Sequence, residues 1–541
     1  MTCIWKDKRM KFLKDKSLLF KYSAIVLAVL TLLASILFFL IWPDNLMHSD
    51  MAAEVILSKL LAEEGGLMSA NWYYSTELRV VYTQLIMTPL FQLISDYGTV
   101  KLLSVIIYDV LLAVVFYFTA KEFRLEGAHL YLAMALLLTP LSNEYLDMML
   151  IGNFYTSQAI CTFLVLKFFF WKQKKEQVAN ADKKMKVKDW IRWGLLAVTA
   201  LILGLSGLRY LASLYLPLVA AVCFSYGFDK KEERENGLLW KLITSIGLLG
   251  FAGVGFLINK FFLSAIYTFD SQAVKFLPLS EVPERFMTSI RLMLEFCGYR
   301  EIDVVTPLGI VNVVKFAFFV FVVYVVVYLT KHRYEILDRG QRLFLYYFLA
   351  LFFINWYMLV FTDVLPQYRY WLPVYIIAVV LIGMYLQQAK VPSEYLKPAL
   401  TMLTVAVVFA SLYGELWQAA KYNDCEKRYG YMEFLKEQEY TFGYATFWNS
   451  SVTEYLSDGE IEVGHLGGDE NGTAPYEWLS PKYYYEEGYH TGKTFLLLAV
   501  TEEPALYSGD ITVMQDFVKV YEDEYYVIYE GEGMHLFSEG D

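Results

Sequence analysis

Long apolar runs without charge recur along most of this chain, and they restrict its folds more than any other feature. Tyr22 to Trp42 is one such run and Val305 to Thr330 is another. A spanning helix needs about 20 predominantly apolar residues, and both runs supply them. Charge is correspondingly scarce: 19% of the 541 residues are charged, where a soluble chain carries about 25%.

The first run follows a basic flank containing Lys6, Lys8, Arg9, Lys11, Lys14, Lys16 and Lys21. It is too long for a secretory signal and ends in Trp42-Pro43-Asp44 without a small-residue cleavage pattern. It reads as a retained anchor with a cytoplasmic N-terminus. Short cytoplasmic loops accumulate Lys and Arg, and four later loops fit: Lys121 to Arg124, Lys172 to Lys188, Lys230 to Arg234 and Lys331 to Arg342, with a weaker one at Lys390 to Lys397. Placing all of them inside requires that Val80 to Ile94, which holds Pro89, lie at the outer interface without crossing. About eleven spans follow, near 22–42, 99–120, 127–142, 153–171, 190–206, 210–227, 238–263, 305–330, 343–362, 370–388 and 398–418. The outer side then receives a large first loop (44–98), Leu141 to Gly152, Gly207 to Arg209, Ser264 to Val304 and Asp363 to Arg369.

After Trp417 the character changes. Residues 421–541 hold 7 basic and 25 acidic side chains, a balance of −18 against −11 for the whole chain, so the preceding 420 residues carry +7. A basic membrane part (1–419) and an acidic extracytoplasmic domain (420–541) are expected. Within the tail, Thr494 to Val500 and Tyr525 to Tyr529 read as strands, and Tyr429 to Glu439 as an amphipathic helix. The fold class is therefore an α-helical polytopic membrane protein with a small soluble α/β C-terminal domain. The five cysteines show no metal spacing; Cys297 and Cys425 fall on the same side, either as a pair or as two free thiols.

The first outer loop carries the densest chemistry. It reads Met47-His48-Ser49-Asp50-Met51-Ala52-Ala53-Glu54, then an amphipathic helix to about Glu64, a Gly65-Gly66 break and Tyr73-Tyr74-Ser75-Thr76-Glu77-Leu78-Arg79. An acidic residue just outside the first span, followed by juxtamembrane helices, resembles a GT-C glycosyltransferase. Gln367-Tyr368-Arg369-Tyr370-Trp371-Leu372-Pro373 is similar to the Arg-Tyr-x-x-Pro-type entry of a late helix in bacterial members, the relatives of protein O-mannosyltransferases and lipid A aminoarabinose transferases. Gly443-Tyr444-Ala445-Thr446-Phe447-Trp448-Asn449 looks like the start of the external domain of bacterial relatives. The Asp-Glu pair that often follows the first helix is not present, since Met51 follows Asp50.

The resemblance implies a polyprenyl-phosphate-linked sugar donor, of the undecaprenyl kind in a bacterium, and an extracytoplasmic glycan, lipid or protein acceptor. Its chemistry needs a carboxylate at the interface to take the acceptor's proton and cations to hold the phosphate. Asp50 is the candidate base; its other reading is an N-cap of a helix beginning near Met51. Glu144 and Asp147 are second catalytic candidates, or solvated loop acids. Arg209 and Arg369 are candidate phosphate ligands, or snorkelling interfacial arginines. Tyr368 and Tyr370 flank Arg369 as pocket walls. Arg79 and His48 are weaker substrate-binding candidates, and Glu54, one turn beyond Asp50, is a second acid or a solvated face. Tyr483-Tyr484-Tyr485 either stacks on sugar or packs in a core. No metal site is predicted, with a divalent cation left open, and no nucleic-acid partner is expected. Two rival readings remain: a membrane polysaccharide polymerase or ligase using the arginines of Ser264 to Val304, and a non-enzymatic flippase or transporter, for which Asp109 inside the second span is the one hint.

Overall fold

The computed structural model describes residues 2–171, 187–235, 237–270, 274–390, 395–421, 424–469, 472–486, 488–503 and 517–532. Most of the basic loop Lys172 to Lys188 and the Cys425 side chain lie outside the described residues. The chain divides into two compact units. The first comprises Met1–Leu37, Val105–Leu257 and Ala273–Trp417; the second comprises Phe38–Ser104, Ile258–Gln272 and Gln418–Asp541.

Every one of the eleven apolar segments is helical, but they are not equal. Eight described helices are long and apolar enough to cross a membrane: Ser17–Ile41, Tyr97–Glu122, Leu211–Phe228, Leu238–Ala265, Pro307–Lys331, Arg339–Phe361, Tyr368–Gln388 and Leu396–Lys421. Asn143–Ile151 and Thr156–Phe170 make a ninth if they count as one span, bent by 70° at the break between them. Gly127–Leu137 has 11 residues, about 17 Å at the α-helical rise, short of the roughly 30 Å hydrocarbon core. Val187–Gly204 places Lys188, Asp189 and Arg192 in its first two turns, which shortens its apolar stretch. The segment expected not to cross contains only the eight-residue helix Gln84–Phe91, with Pro89 inside it; about 12 Å cannot cross.

Local chemistry sets these boundaries. Thr306 caps Pro307–Lys331 by accepting from the Gly309 N–H, with Pro307 in the first turn. Asp338 and Gln341 form a reciprocal capping box at the start of Arg339–Phe361. Gly204 and Gly255 let two helices touch backbone to backbone: a Cβ on either would lie 2.1 Å from a carbonyl oxygen of the other helix. Close approach through small residues is how apolar helices gain packing in lipid. Asp109, fully buried, accepts from the Ser35 hydroxyl at 2.6 Å, as a neighbour-bonded intramembrane acid does.

The second unit is built on two sheets. The strands are β1 (Trp72–Tyr74), β2 (Thr268–Phe269), β3 (Phe442–Thr446), β4 (Glu462–Asp469), β5 (Gly472–Pro475), β6 (Ser480–Pro481), β7 (Lys493–Ala499), β8 (Val518–Glu522) and β9 (Tyr526–Glu532). The larger sheet runs β5-β4-β3-β7-β9-β8, with β4, β3 and β7 parallel and the outer pairs antiparallel. Phe495 and Leu497 of β7 face one core with Tyr431, Leu435 and Ile528, while Leu496 and Leu498 face another with Tyr444, Tyr484 and Val527. A strand buried on both faces reads as an unbroken apolar run, which explains Phe495 to Leu498. The expected helix is present as Asp424–Glu437.

The smaller sheet, β2-β1-β6, draws one strand from each of the unit's three chain segments. Lys482 strengthens the join: its backbone N–H donates to the Asn71 carbonyl and its Nζ to the Thr268 hydroxyl at 2.8 Å. Two earlier loops therefore belong to the same unit as the tail.

Candidate active site

In the second unit, Asp50 is the second residue of the helix Ser49–Glu64. The N-cap is His48, in extended backbone (φ −128°, ψ 169°) and without a side-chain cap bond. Asp50 is thus not a cap: the helix starts two residues earlier than the sequence suggested. A carboxylate in the first turn is favoured by the helix dipole. Gly65, at φ 70°, closes the helix, which realises the Gly65-Gly66 break.

Glu54 lies one turn on, and it is not a solvated face. It is 6% exposed and accepts from the Thr83 hydroxyl at 2.8 Å. Burial pushes its pKa up to about 7; Asp50 adds to the rise, while Thr83, Arg79 and Lys101 oppose it. Arg79 donates to the Tyr82 hydroxyl at 2.6 Å, stacks over that ring at 4.7 Å, and pairs with Glu77 at 3.6 Å. The fold thus gathers Asp50, Glu54, Arg79, Thr83 and Lys101 into one charged neighbourhood. Lys101 and Thr83 escaped sequence reading. The only signal for Lys101 was a cation in the first turns of an apolar helix.

In the first unit, Ser142 caps a short turn that carries Glu144. Asp147 follows in the π-helical stretch Leu146–Ile151. Tyr368, in the short helix Tyr368–Trp371, donates to Glu144 and lies near Asp147 and Glu295. Arg369 is half-buried, and its one polar contact among the described residues is a weak approach of Nη1 to the Met148 sulfur at 4.0 Å. Tyr370 is half-buried beside it. Arg209 stacks on the Tyr155 ring at 4.6 Å. Tyr155, Gln158, Ser213, Leu372, Pro373 and Ile376 line one small cavity. Tyr155, on whose ring Arg209 stacks, thus shares a cavity with Leu372 and Pro373, which follow Arg369 in the chain, and Glu144 and Asp147 lie near Tyr368.

A larger cavity of about 650 Å³ has an apolar lining that includes Leu208, the chain neighbour of Arg209, with Leu211, Leu216, Phe224, Leu249 and Phe353, between the helices Leu211–Phe228, Leu238–Phe261 and Arg339–Phe361. Among the described residues, no group of three or more His, Cys, Asp or Glu is arranged to hold a metal ion.

No protein-family model matches the chain, and no curated protein matches its sequence. Solved structures do match its fold. ArnT from Cupriavidus metallidurans, bound to undecaprenyl phosphate, superposes with a TM-score of 0.55 at 11% identity, over 94% of this chain and 97% of that one. The archaeal oligosaccharyltransferase AglB from Archaeoglobus fulgidus, in complex with an inhibitory peptide and a dolichol-phosphate, gives 0.49 at 12% identity, over 89% and 70%. With nearly complete coverage of both chains in the first comparison, this protein has a GT-C-like glycosyltransferase fold.

Proposed function

We propose that the protein is a membrane glycosyltransferase that moves a sugar from a polyprenyl-phosphate donor to an extracytoplasmic acceptor with inversion. The observation that carries this reading lies in the first unit. A half-buried arginine, Arg369, has no carboxylate partner among the described residues, and an apolar cavity of about 650 Å³ includes Leu208, the chain neighbour of Arg209, in its lining. A lipid-linked phosphate needs both features: a guanidinium fork for the anion and an apolar channel for the tail.

In this reading Asp50 takes the proton of the acceptor hydroxyl as its oxygen bonds to the anomeric carbon. The bond from that carbon to the phosphate oxygen breaks, and the phosphate leaves with its charge held by Arg369 and Arg209. Glu144 orients Tyr368 through their hydrogen bond, and Asp147 completes that acidic turn. Arg79 and Glu54 set the charge around Asp50, and His48 shapes its backbone as the helix N-cap.

The polymerase reading relied on Arg285, Arg291 and Arg300. Each is engaged within the protein: Arg285 donates to the Val364 carbonyl, Arg291 pairs with Glu295 at 2.7 Å and Arg300 with Glu415 at 2.9 Å. The transporter reading relied on Asp109, which accepts a hydrogen bond from Ser35.

Arg369→Lys keeps the charge and loses the planar fork. It is expected to weaken binding of undecaprenyl phosphate by about 10-fold, near 1.4 kcal/mol, in detergent titrations of the purified protein. Arg291→Lys, at an exposed ion pair, serves as the control and changes nothing. Equal affinity in Arg369→Lys and the parent would remove Arg369 from the donor site.

The side of the membrane is tested by labelling intact cells with an impermeant maleimide. Ser457 is buried and would not react, so the cysteine belongs at Glu460, which is exposed. Glu460→Cys is expected to label in intact cells above the parent background. Labelling that requires lysis would place the second unit in the cytoplasm and reverse the proposed topology.

A further inference from the structure

The tyrosine run that sequence singled out is not a sugar platform. Tyr484 is buried and donates to Glu454 at 3.0 Å, and Tyr485 is spent on Ser480 and the His465 carbonyl. The exposed rings of this unit lie elsewhere. Trp448 is 61% exposed and Tyr476 is 40% exposed. The Phe447 ring lies 5.1 Å from Trp448 and 5.9 Å from Tyr476, and Tyr476 lies 6.2 Å from Trp478 with 25° between their planes. Four rings from two distant segments form one shelf.

A single buried histidine ties those segments together. His465 on β4 places Nδ1 2.8 Å from the Trp478 carbonyl oxygen and Nε2 2.8 Å from the Ser451 hydroxyl. A carbonyl only accepts, so Nδ1 carries the proton and Nε2 accepts from Ser451. Burial pushes its pKa down to about 4, which keeps the ring neutral with both nitrogens satisfied. Trp478 is thereby fixed to the helix Phe447–Leu456, whose first residues are Phe447 and Trp448. The shelf is held in place before any ligand arrives, and the ordering cost of binding falls.

The charges next to it define what it takes. The helix Phe447–Leu456 packs against Ser49–Glu64, which carries Asp50, and burial, followed by the charges of Asp50 and Asp270, raises the Tyr476 pKa. Glu477, between the two stacked rings in sequence, accepts from the Tyr73 hydroxyl at 3.1 Å. A pyranose offers an apolar C–H face to flat rings and hydroxyl donors to carboxylates, which only accept. A phosphate- or carboxylate-bearing acceptor meets repulsion at the same place.

We propose that Trp448, Tyr476 and Trp478 form a stacking shelf for a neutral glycan, and that this glycan is the acceptor presented to Asp50. The shelf as an acceptor site rests on the glycosyltransferase reading above; the shelf as a glycan site does not. Full-length protein in lipid nanodiscs is applied to an array of neutral gluco-, galacto-, manno- and rhamno-oligosaccharides, phosphorylated and uronic-acid glycans, and synthetic peptides. Signal is expected on neutral glycans alone, falling at least 10-fold in Trp448→Ala and Tyr476→Ala and surviving in Tyr476→Phe, which keeps the ring. Trp448 is exposed, so its removal leaves the fold intact, and unchanged binding of undecaprenyl phosphate verifies this. Absence of glycan signal, equal signal on anionic glycans, signal on peptides alone, or full signal in Trp448→Ala overturns the shelf. If the shelf variants lose glycan binding while Asp50→Asn transfers sugar at the parent rate, the shelf stands and the mechanism falls. If Asp50→Asn is inactive while the shelf variants bind normally, the reverse holds.

Discussion

Replacing Asp50 by asparagine is expected to leave the protein folded and to lower sugar transfer from a lipid-linked donor by about 100-fold or more, the usual scale for loss of a general base. The substitution is clean for a structural reason. Asp50 sits in the first turn of Ser49–Glu64, and His48 occupies the cap position. Asparagine keeps the side chain's size and hydrogen-bonding capacity and gives up the attraction between a carboxylate and the helix dipole, about 0.3–1 kcal/mol. The melting temperature should therefore barely move. Glu54 is buried and accepts from Thr83, so it meets an acceptor less readily than Asp50 does. Glu63→Gln is the control, since Glu63 is an exposed partner of Lys59 on the same helix. Purified protein, a polyprenyl-phosphate donor with a radiolabelled sugar, and an initial-rate assay decide the matter. Transfer at the parent rate would reduce Asp50 to a charge at a helix start and send the search to Glu54, Glu144 and Asp147.

The largest stability effect is expected within the first unit. Lys315 and Glu415 are each 1% exposed, on the helices Pro307–Lys331 and Leu396–Lys421. Glu415 accepts from Arg300 at 2.9 Å and faces Lys315 at 3.8 Å. Asn312 completes the knot by bonding both the N–H and the carbonyl of Arg300. Gly298, at φ 83°, leaves room for it: a Cβ there would come within 2.5 Å of Lys315 Nζ. Removing one partner of a buried ion pair strands the other charge, at a cost of about 3–5 kcal/mol, whereas replacing the pair with apolar groups is often neutral. Glu415→Met should thus melt well below the parent in a thermal-shift assay. Adding Lys315→Met should restore most of the loss, because Arg300 is about a quarter exposed and reaches water unaided. A double variant as unstable as Glu415→Met would show that the three side chains do not act as an electrostatic unit.

Membrane segments and the two-faced strand were legible in the sequence because their signals are local. Hydropathy over 20 residues and the run Phe495 to Leu498 each act through neighbours in the chain, whereas helix starts moved by a few residues, to Ser49 from near Met51 and to Arg339 from near 343. The positions of Asp50, Glu144 and Arg369 were legible for the same reason, as polar residues at the ends of apolar runs. Count and continuity were less so: the short Gly127–Leu137 and the 70° bend after Ile151 depend on packing that hydropathy does not record.

Burial and partnership were decided by tertiary structure. One turn separates Glu54 from Asp50, yet one acid is buried against Thr83 and the other lies at the helix start. Tyr484 and Tyr476 are both tyrosines in the same acidic stretch; the first fills a core and the second opens to solvent. Arg300 and Glu415 meet across 115 residues. Three segments separated by more than 150 residues each supply one strand to a single small sheet. A side chain's periodicity states which face of its own helix or strand it occupies. What covers that face is set by other elements, and only the folded chain brings them there.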